Sequence, residues 1–508
     1  ALATRISESN GFQQALKRLE NGKEPTPRSW LYETQPPDQV LVNWSSQLRS
    51  LTLSADEDLK SIANWDLSKS DKFAPQGGVA PFMERLDTLG EYWAHLSPSD
   101  VFSTQMWAQA IEVTVRNLGF NRTGVPAEYT AVISRGLSED KYTTSSGDPL
   151  FLKRKNEEAI QHSLDAANSG AWRQYYPVLG SRATMGKTGD QARWIFMFPM
   201  SVNLVEQSFQ QPLQDYIRSR QDIFFMPWAG FDHVQDIVSK SWDGTLKFGA
   251  DYSKMDQHFN LHHALQCLMV LKQYFKPQYH NALEESIRYA FECPVTSSKG
   301  IILGPHAMPS GSGWTNFLET VFNYILVNYL KLKYHLDYSA AMGIGDDQLW
   351  FLKFDGNIKK LTDLVVSNFN AVGLEANPDK QDVGFDETKF LQRGFWTDYS
   401  GKVVTIKHAG VYPTIRALTS LIYPEVYHNE KAWDANMFAL RNIMICENCV
   451  CHPLYREFIE FVAKGNDHMV KFARLSDTDI GAVEDVARSI NNFMPTYNQE
   501  KLGQSVSR

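Results

Sequence analysis

Cysteine is scarce, with five in 508 residues: Cys267, Cys293, Cys446, Cys449 and Cys451. So sparse and odd a set argues against a disulfide framework and for a reducing compartment. Long apolar runs are missing too. The longest, 194–202 and 321–330, carry polar breaks and fall short of the roughly eighteen residues that a membrane span needs. Charged residues interrupt any apolar core in the first thirty positions, so no signal peptide is expected there. The sequence opens on Ala1 rather than Met, which leaves room for residues upstream. Positive charge is in deficit, 50 Lys and Arg against 58 Asp and Glu, for a net charge of −8. Taken whole, that balance disfavours a polyanionic partner. Its distribution reverses the argument locally: residues 116–193 hold eleven Lys and Arg against eight Asp and Glu. Such an excess permits a nucleic-acid-facing surface. Internal repeats and low-complexity tracts are also lacking.

What is present describes a globular chain of several lobes, with 43% hydrophobic and 21% charged residues. The first sixty positions alternate polar helix-like stretches with joints at Pro25, Pro27, Pro36 and Pro37, the pattern of an extended arm. Helical patterns broken by loops, notably 143–149, run to about residue 196. Beyond residue 240 the pattern sharpens. Residues 245–250 predict a buried strand ending at Asp251. Apolar residues at helical spacing follow over 311–331. Two short apolar runs, 340–344 and 349–352, flank Gly345-Asp346-Asp347 and predict a tight hairpin. Strand, helix, then hairpin is an α+β order, and the last hundred residues read as mostly helical.

Asp251 and Asp346 lie ninety-five residues apart, at a strand end and in a hairpin turn. Carboxylates delivered by separate strands to one sheet edge suit phosphoryl transfer, where two hard cations about 3.5–4 Å apart neutralise the attacking and leaving oxygens. Each feature alone has an ordinary explanation: Gly and Asp favour turns, and Asp caps helices. Their order and spacing carry the argument.

The surrounding residues make the pattern specific. Asp251-Tyr-Ser-Lys-Met-Asp256 resembles motif A of viral RNA-dependent RNA polymerases, Pro309-Ser310-Gly311-Ser-Gly-Trp-Thr315 motif B, and Gly345-Asp346-Asp347 motif C. Gly373-Leu374 with Asn377-Pro378-Asp379-Lys380 resembles motif D, and 390–395 motif E. Upstream, Lys187 and Arg193-Trp194-Ile195 resemble motif F, and 145–149 the looser motif G. All seven follow the family's order across residues 145–395. The wording around motifs A and B is most similar to the picobirnavirus and partitivirus polymerases of small double-stranded RNA viruses.

The resemblance implies an α+β closed right hand with an antiparallel palm sheet flanked by helices. Fingers would take 1–196 and 288–306, with the arm 1–60 bridging to the thumb; the palm 197–287 and 307–402; the thumb 403–508. It implies template-directed RNA synthesis from NTPs, serving replication and transcription of a double-stranded viral genome. The expected cofactors are two divalent cations, Mg²⁺ with Mn²⁺ as the alternative, on Asp251 and Asp346 with Asp347 as helper. Asp256, supported by Ser310, Gly311 and Thr315, would read the ribose 2′-hydroxyl. Lys380 would be the general acid for pyrophosphate, while Lys187 and Arg193 would neutralise the triphosphate. Implied partners are RNA template and product, NTPs and a capsid protein, with no membrane; the chain would act as a monomer in the virion interior and host cytoplasm.

One position departs from the family's usual pattern. Nine beyond Ser310, where positive-strand virus polymerases usually carry Asn, this chain has Glu319, and Asn323 a turn further on is not expected to substitute. If Glu319 faces Asp256, one of the pair should hold a proton. Other features are set aside. Residues 180–188 approach a P-loop, with five intervening residues where four are needed and no helix start after them. Cys446, Cys449, Cys451 and His452 suggest zinc but lack a second ligand pair. His258, His262 and His263 lack an acidic partner at the expected place. The glycosylation sequons at Asn43 and Asn121 would never meet their enzyme in a cytosolic chain. A reverse transcriptase would usually carry aromatics near Asp256 and at Ile344. A catalytically dead binding protein would have no need of Asp251, Asp346 and Lys380.

Overall fold

The structure, a computed structural model, describes residues 1–426 and 434–488. Residues 427–433 and 489–508, both within the expected thumb, lie outside the described residues. Ten strands occur among those described. In chain order they begin with β1 (Val178–Arg182), β2 (Arg193–Met197), β3 (Leu246–Ala250), β4 (Val295–Ser297) and β5 (Gly300–Ile302). They continue with β6 (Tyr338–Ile344), β7 (Asp347–Leu352), β8 (Asp382–Gly384), β9 (Glu387–Phe390) and β10 (Arg393–Trp396). The expected α+β class with an antiparallel sheet is what is found.

The sheet that matters most runs β6-β7-β3-β8, each neighbouring pair antiparallel. β3 is central and buried on both faces, which is why its sequence reads as a run rather than an alternation. β6 and β7 close on Gly345 and Asp346, and Gly345 takes φ +57°, a conformation glycine adopts without a Cβ penalty. Beneath this sheet runs the helix Trp314–Tyr334. Its Trp314, Phe317, Leu318, Val321, Phe322 and Ile325 are all buried in the largest core. That helix starts three residues later than the periodicity predicts. Gly311 stands at φ +125°, outside any helix, and residues 309–313 form a tight loop instead.

A second sheet, β2-β1-β4-β5, replaces the P-loop that residues 180–188 suggest: β1 turns back antiparallel into β2, and only a single 3₁₀ turn, Gly189–Gln191, stands between them. Arg85, fully buried, stacks 3.8 Å from the Trp194 ring centroid and bonds Ser181 and the Ala192 carbonyl, pinning both strands. The chain's first sixty residues touch two distant regions. Arg5 forms a two-pronged ion pair with Asp148, at 2.9 and 3.0 Å. Further along, Thr26 bonds the Glu425 carbonyl at 2.7 Å and Trp44 donates to Thr414 Oγ1 at 2.7 Å. The helix Pro37–Arg49 thereby shares one core with the C-terminal helices Thr414–Ile422, Ala435–Glu447 and Tyr455–Ala463.

The cysteine-rich segment sits in that region as packing. Cys446, Cys449 and Cys451 are buried free thiols, and His452 bonds Asp66 at 2.8 Å. His263 is likewise a buried structural residue, closing a capping box with Asn260 and meeting the Val372 carbonyl at 2.7 Å. Among the described residues, no helix is long and apolar enough to cross a membrane.

Candidate active site

Register brings the expected carboxylates together. Ala250 pairs with Gln348 and Ile344 with Asp347, so Asp251, the next residue after β3, emerges beside the Gly345-Asp346 turn. Gln381 fastens the backbone of Asp251 from both sides, accepting from its N–H and donating to its carbonyl, each at 2.9 Å. The turn is gripped from below. Thr320 Oγ1 accepts from the Gly345 N–H and Asn323 Nδ2 donates to the Gly345 carbonyl, both at 2.8 Å. Tyr252 donates to Asn323 Oδ1 at 2.7 Å and accepts from Gln348 at 3.2 Å, and Gln348 in turn accepts from Trp350. A continuous buried polar chain thus fixes Asp346 relative to Asp251.

Asp251 and Asp346 are open to the cleft, yet the surrounding protein desolvates them enough to hold both carboxyls above their usual range. The charges of Asp256 and Asp251 add to this effect at Asp346, whereas Lys380 partly offsets it at Asp251. Asp347 turns away from the opening and accepts from the Leu391 N–H at 3.1 Å, in the turn between β9 and β10. Burial, with help from Asp346 and Asp251, pushes its carboxyl up to about 7.

Asp256 accepts from the Ser310 hydroxyl. Glu319, 4% exposed, hydrogen-bonds Asp256, and burial first, then the Asp256 charge, lift its carboxyl well above the ordinary value. The expected facing pair exists, and Glu319 is the member whose carboxyl is raised. Its Oε1 has no partner. Both ends of the Asn323 carboxamide are engaged by the hairpin, donating to the Gly345 carbonyl and accepting from Tyr252. Thr315 bonds the Pro309 carbonyl at 3.3 Å, tightening the loop around Ser310. A Cβ on Gly311 would fall well inside contact distance of the Phe196 carbonyl, so β2 and this loop approach closely only because that residue is glycine.

A cavity of roughly 630 Å³ opens beside the loop, lined by Lys23, Arg154, Arg182 and Arg193, with Glu425 the acidic exception. Arg154, Arg182 and Arg193 come from the locally basic stretch of the sequence, whose other Lys and Arg lie elsewhere. The Arg193 charge reaches both Glu319 and Asp346. Lys187 is exposed on the loop between β1 and β2 and is not part of that lining. Lys380 is exposed but close enough for its charge to act on Asp251. Sequence reasoning missed Gln381, Thr320 and Tyr252. Thr320, with Asn316, Glu319 and Asn323, forms a polar stripe at helical spacing on an otherwise apolar helix, and that signal was available.

The donor set fits hard divalent cations: carboxylate oxygens, crowded and held short of easy ionisation, are what such a charge relieves. Among the described residues, no three His, Cys, Asp or Glu side chains cluster to hold an ion by themselves. Mg²⁺ usually takes one or two carboxylates and completes its shell with waters and substrate phosphates, which agrees with this arrangement.

Comparison with known proteins gives the same reading. A family described as viral RNA-directed RNA-polymerase matches residues 176–423. The chain is 26% identical over 481 residues to a potential RNA-dependent RNA polymerase of human picobirnavirus (strain Human/Thailand/Hy005102/-), covering 90% of this chain and 85% of that one. It is 21% identical over 269 residues to the RNA-directed RNA polymerase of Cryptosporidium parvum virus 1 (strain KSU-1), about half of each chain. The fold matches crystal structures of a human picobirnavirus RNA-dependent RNA polymerase. An insertion-loop deletion mutant aligns with TM-score 0.78 at 23% identity over 94% of both chains, and the undeleted enzyme with 0.77 at 22% over 94% and 90%. With its ordered motifs delivered to one sheet edge and a relative spanning nine-tenths of its length, the chain is similar in sequence and in fold to the viral RNA-directed RNA polymerases.

Proposed function

We propose that the enzyme joins ribonucleotides on an RNA template by two-metal nucleotidyl transfer, with Asp251 and Asp346 as the shared ligands and half-buried Asp347 as a helper. The observation that carries this reading is the convergence of Asp251 and Asp346 beside a hairpin turn that a buried polar chain holds in place. Divalent cations bound there would neutralise charge on the attacking 3′-oxygen and the leaving pyrophosphate. Arg193 adds positive charge near the triphosphate, and exposed Lys380 stands near Asp251 as the candidate proton donor to pyrophosphate. Asp256, backed by Ser310 and Glu319, offers the ribose 2′-hydroxyl a hydrogen-bonding site that a deoxynucleotide leaves unsatisfied. The basic cavity beside Ser310 and Gly311 suits the template strand. In this reading residues 1–196 and 288–306 are fingers, 197–287 and 307–402 palm, and 403–508 thumb. The genome served is double-stranded RNA.

The test is incorporation of labelled NTP on a short RNA template without primer, comparing wild type with Asp346→Ala. Template-length product from wild type alone, and little from dNTPs, supports the reaction. Equal product from both proteins overturns the site.

A further inference from the structure

Glu206 is a buried carboxylate that no step of this reaction uses. It lies 1% exposed on the helix Met200–Arg220, which follows β2 directly. Three donors converge on it: Asn203 Nδ2 at 2.7 Å, the Gly313 N–H at 3.0 Å, and the Ser312 hydroxyl. Two of these belong to the 309–313 loop. Its other end is tied to β2, where the Phe196 N–H donates to the Ser310 carbonyl at 2.7 Å. Between the two ties stand Gly311 and Ser310, whose hydroxyl reaches Asp256. Asn203 also accepts from Arg154 at 2.8 Å, and Arg154 lines the basic cavity and donates to the Ser145 carbonyl. The polar chain therefore runs from the cavity wall to the loop that carries the ribose contact.

We propose that Glu206 is a positioning residue for nucleotide selection, locking the Ser312–Gly313 end of the loop so that Ser310 is presented to Asp256. This rests on the nucleotide site proposed above. A carboxylate is acceptor-only and suits three converging donors, whereas a carboxamide or a protonated acid brings a donor of its own and keeps the Ser312 contact only by reversing it, which reorients that hydroxyl. Burial raises Glu206 to about 7, with the Ser312, Asn203 and Gly313 hydrogen bonds and the Arg154 charge acting in the opposite direction. The other ionisable groups that sense it are Tyr289 and Cys293, both held neutral by burial. Arg154 is thus the charged neighbour of this lock, and the lock loosens as pH falls through about 7.

Single-nucleotide incorporation, measured with NTP and 2′-deoxy-NTP from about pH 6 to 8.5, compares wild type, Glu206→Gln and Ser312→Ala, with Asp346→Ala as the blank. Glu206→Gln should raise KM for NTP about ten- to a hundredfold while lowering kcat far less, the expected cost of charge-assisted hydrogen bonds. It should also weaken the ribose preference and flatten the pH dependence of KM, which in wild type rises below about pH 7. Ser312→Ala should move KM and sugar preference in the same direction by less, and keep the acid limb. Wild-type KM and sugar preference in Glu206→Gln, or the same acid limb in both proteins, would overturn the inference. Should Glu206→Gln fail to fold, Ser312→Ala decides, and an unchanged KM and preference there refutes it. A wild type that makes no product refutes the proposed reaction instead.

Discussion

Asn323 offers the sharpest check on how the hairpin is held. It is 0% exposed, donates to the Gly345 carbonyl at 2.8 Å and accepts from Tyr252 at 2.7 Å. Asn323→Ala leaves the Gly345 carbonyl and the Tyr252 hydroxyl facing each other across a gap. Each unpaired group costs about 1–3 kcal/mol, so a loss of about 2–6 kcal/mol is expected. The Gly345 N–H remains tied to Thr320, so the turn should tilt rather than detach. A displacement of about 1 Å at Asp346 is enough to lower kcat about a hundredfold. Hydrogen exchange at Gly345 and Gln348 reads the local opening, and single-turnover incorporation reads the chemistry. Tyr252→Phe in the same background completes a cycle, and contact predicts a coupling of about 0.5–3 kcal/mol. Unchanged exchange at Gly345 together with kcat within about twofold of wild type would refute the claim that this chain positions Asp346.

Two further predictions concern charge and closure. Asp251, Asp346, Asp347 and Glu319 all have carboxyls raised in the fold, so each favours its protonated form there. Their contribution to stability is full below the unfolded values near pH 4 and is lost as pH rises, for Asp347 through about 7. The thermal midpoint of the metal-free protein should therefore fall between about pH 5 and pH 8 more than that of Asp347→Asn. Added Mg²⁺ should raise the wild-type midpoint more at the higher pH, and an equal gain at both would contradict the assignment. Asp66 is 0% exposed and accepts from the Thr414 and Ile415 N–H groups, both at 2.9 Å, as well as from His452. Asp66→Ala should cost about 3–5 kcal/mol and open the arm to limited proteolysis, whereas wild-type resistance would show that the cluster contributes little.

The catalytic strand and hairpin were legible because each is encoded in a few consecutive residues. A buried run ending at Asp251, and a turn of Gly345 and Asp346 between apolar runs, need no distant partner to be recognised. The helix start was misread because helical spacing continues through Gly311, while the close approach of the Phe196 carbonyl that forbids helix there belongs to another strand. Gln381 and Asp66 were invisible for a related reason. Gln381 works on a backbone 130 positions away, and Asp66 meets His452 across 386 positions, so nothing local marks either residue. The stripe of Asn316, Glu319, Thr320 and Asn323 lay between these cases. Its spacing is local, but its meaning depends on what covers that helix face.

The shared core of the arm and the C-terminal helices also bears on how the chain is made. Val40, Trp44 and Leu48 bury themselves against Ile415, Phe438 and Phe458, residues synthesised much later in the chain. At about 5–20 residues per second, the apolar face of Pro37–Arg49 waits about 20 to 80 seconds for its cover. During synthesis that face is therefore open to unwanted association until the helices from Thr414 onward arrive to cover it.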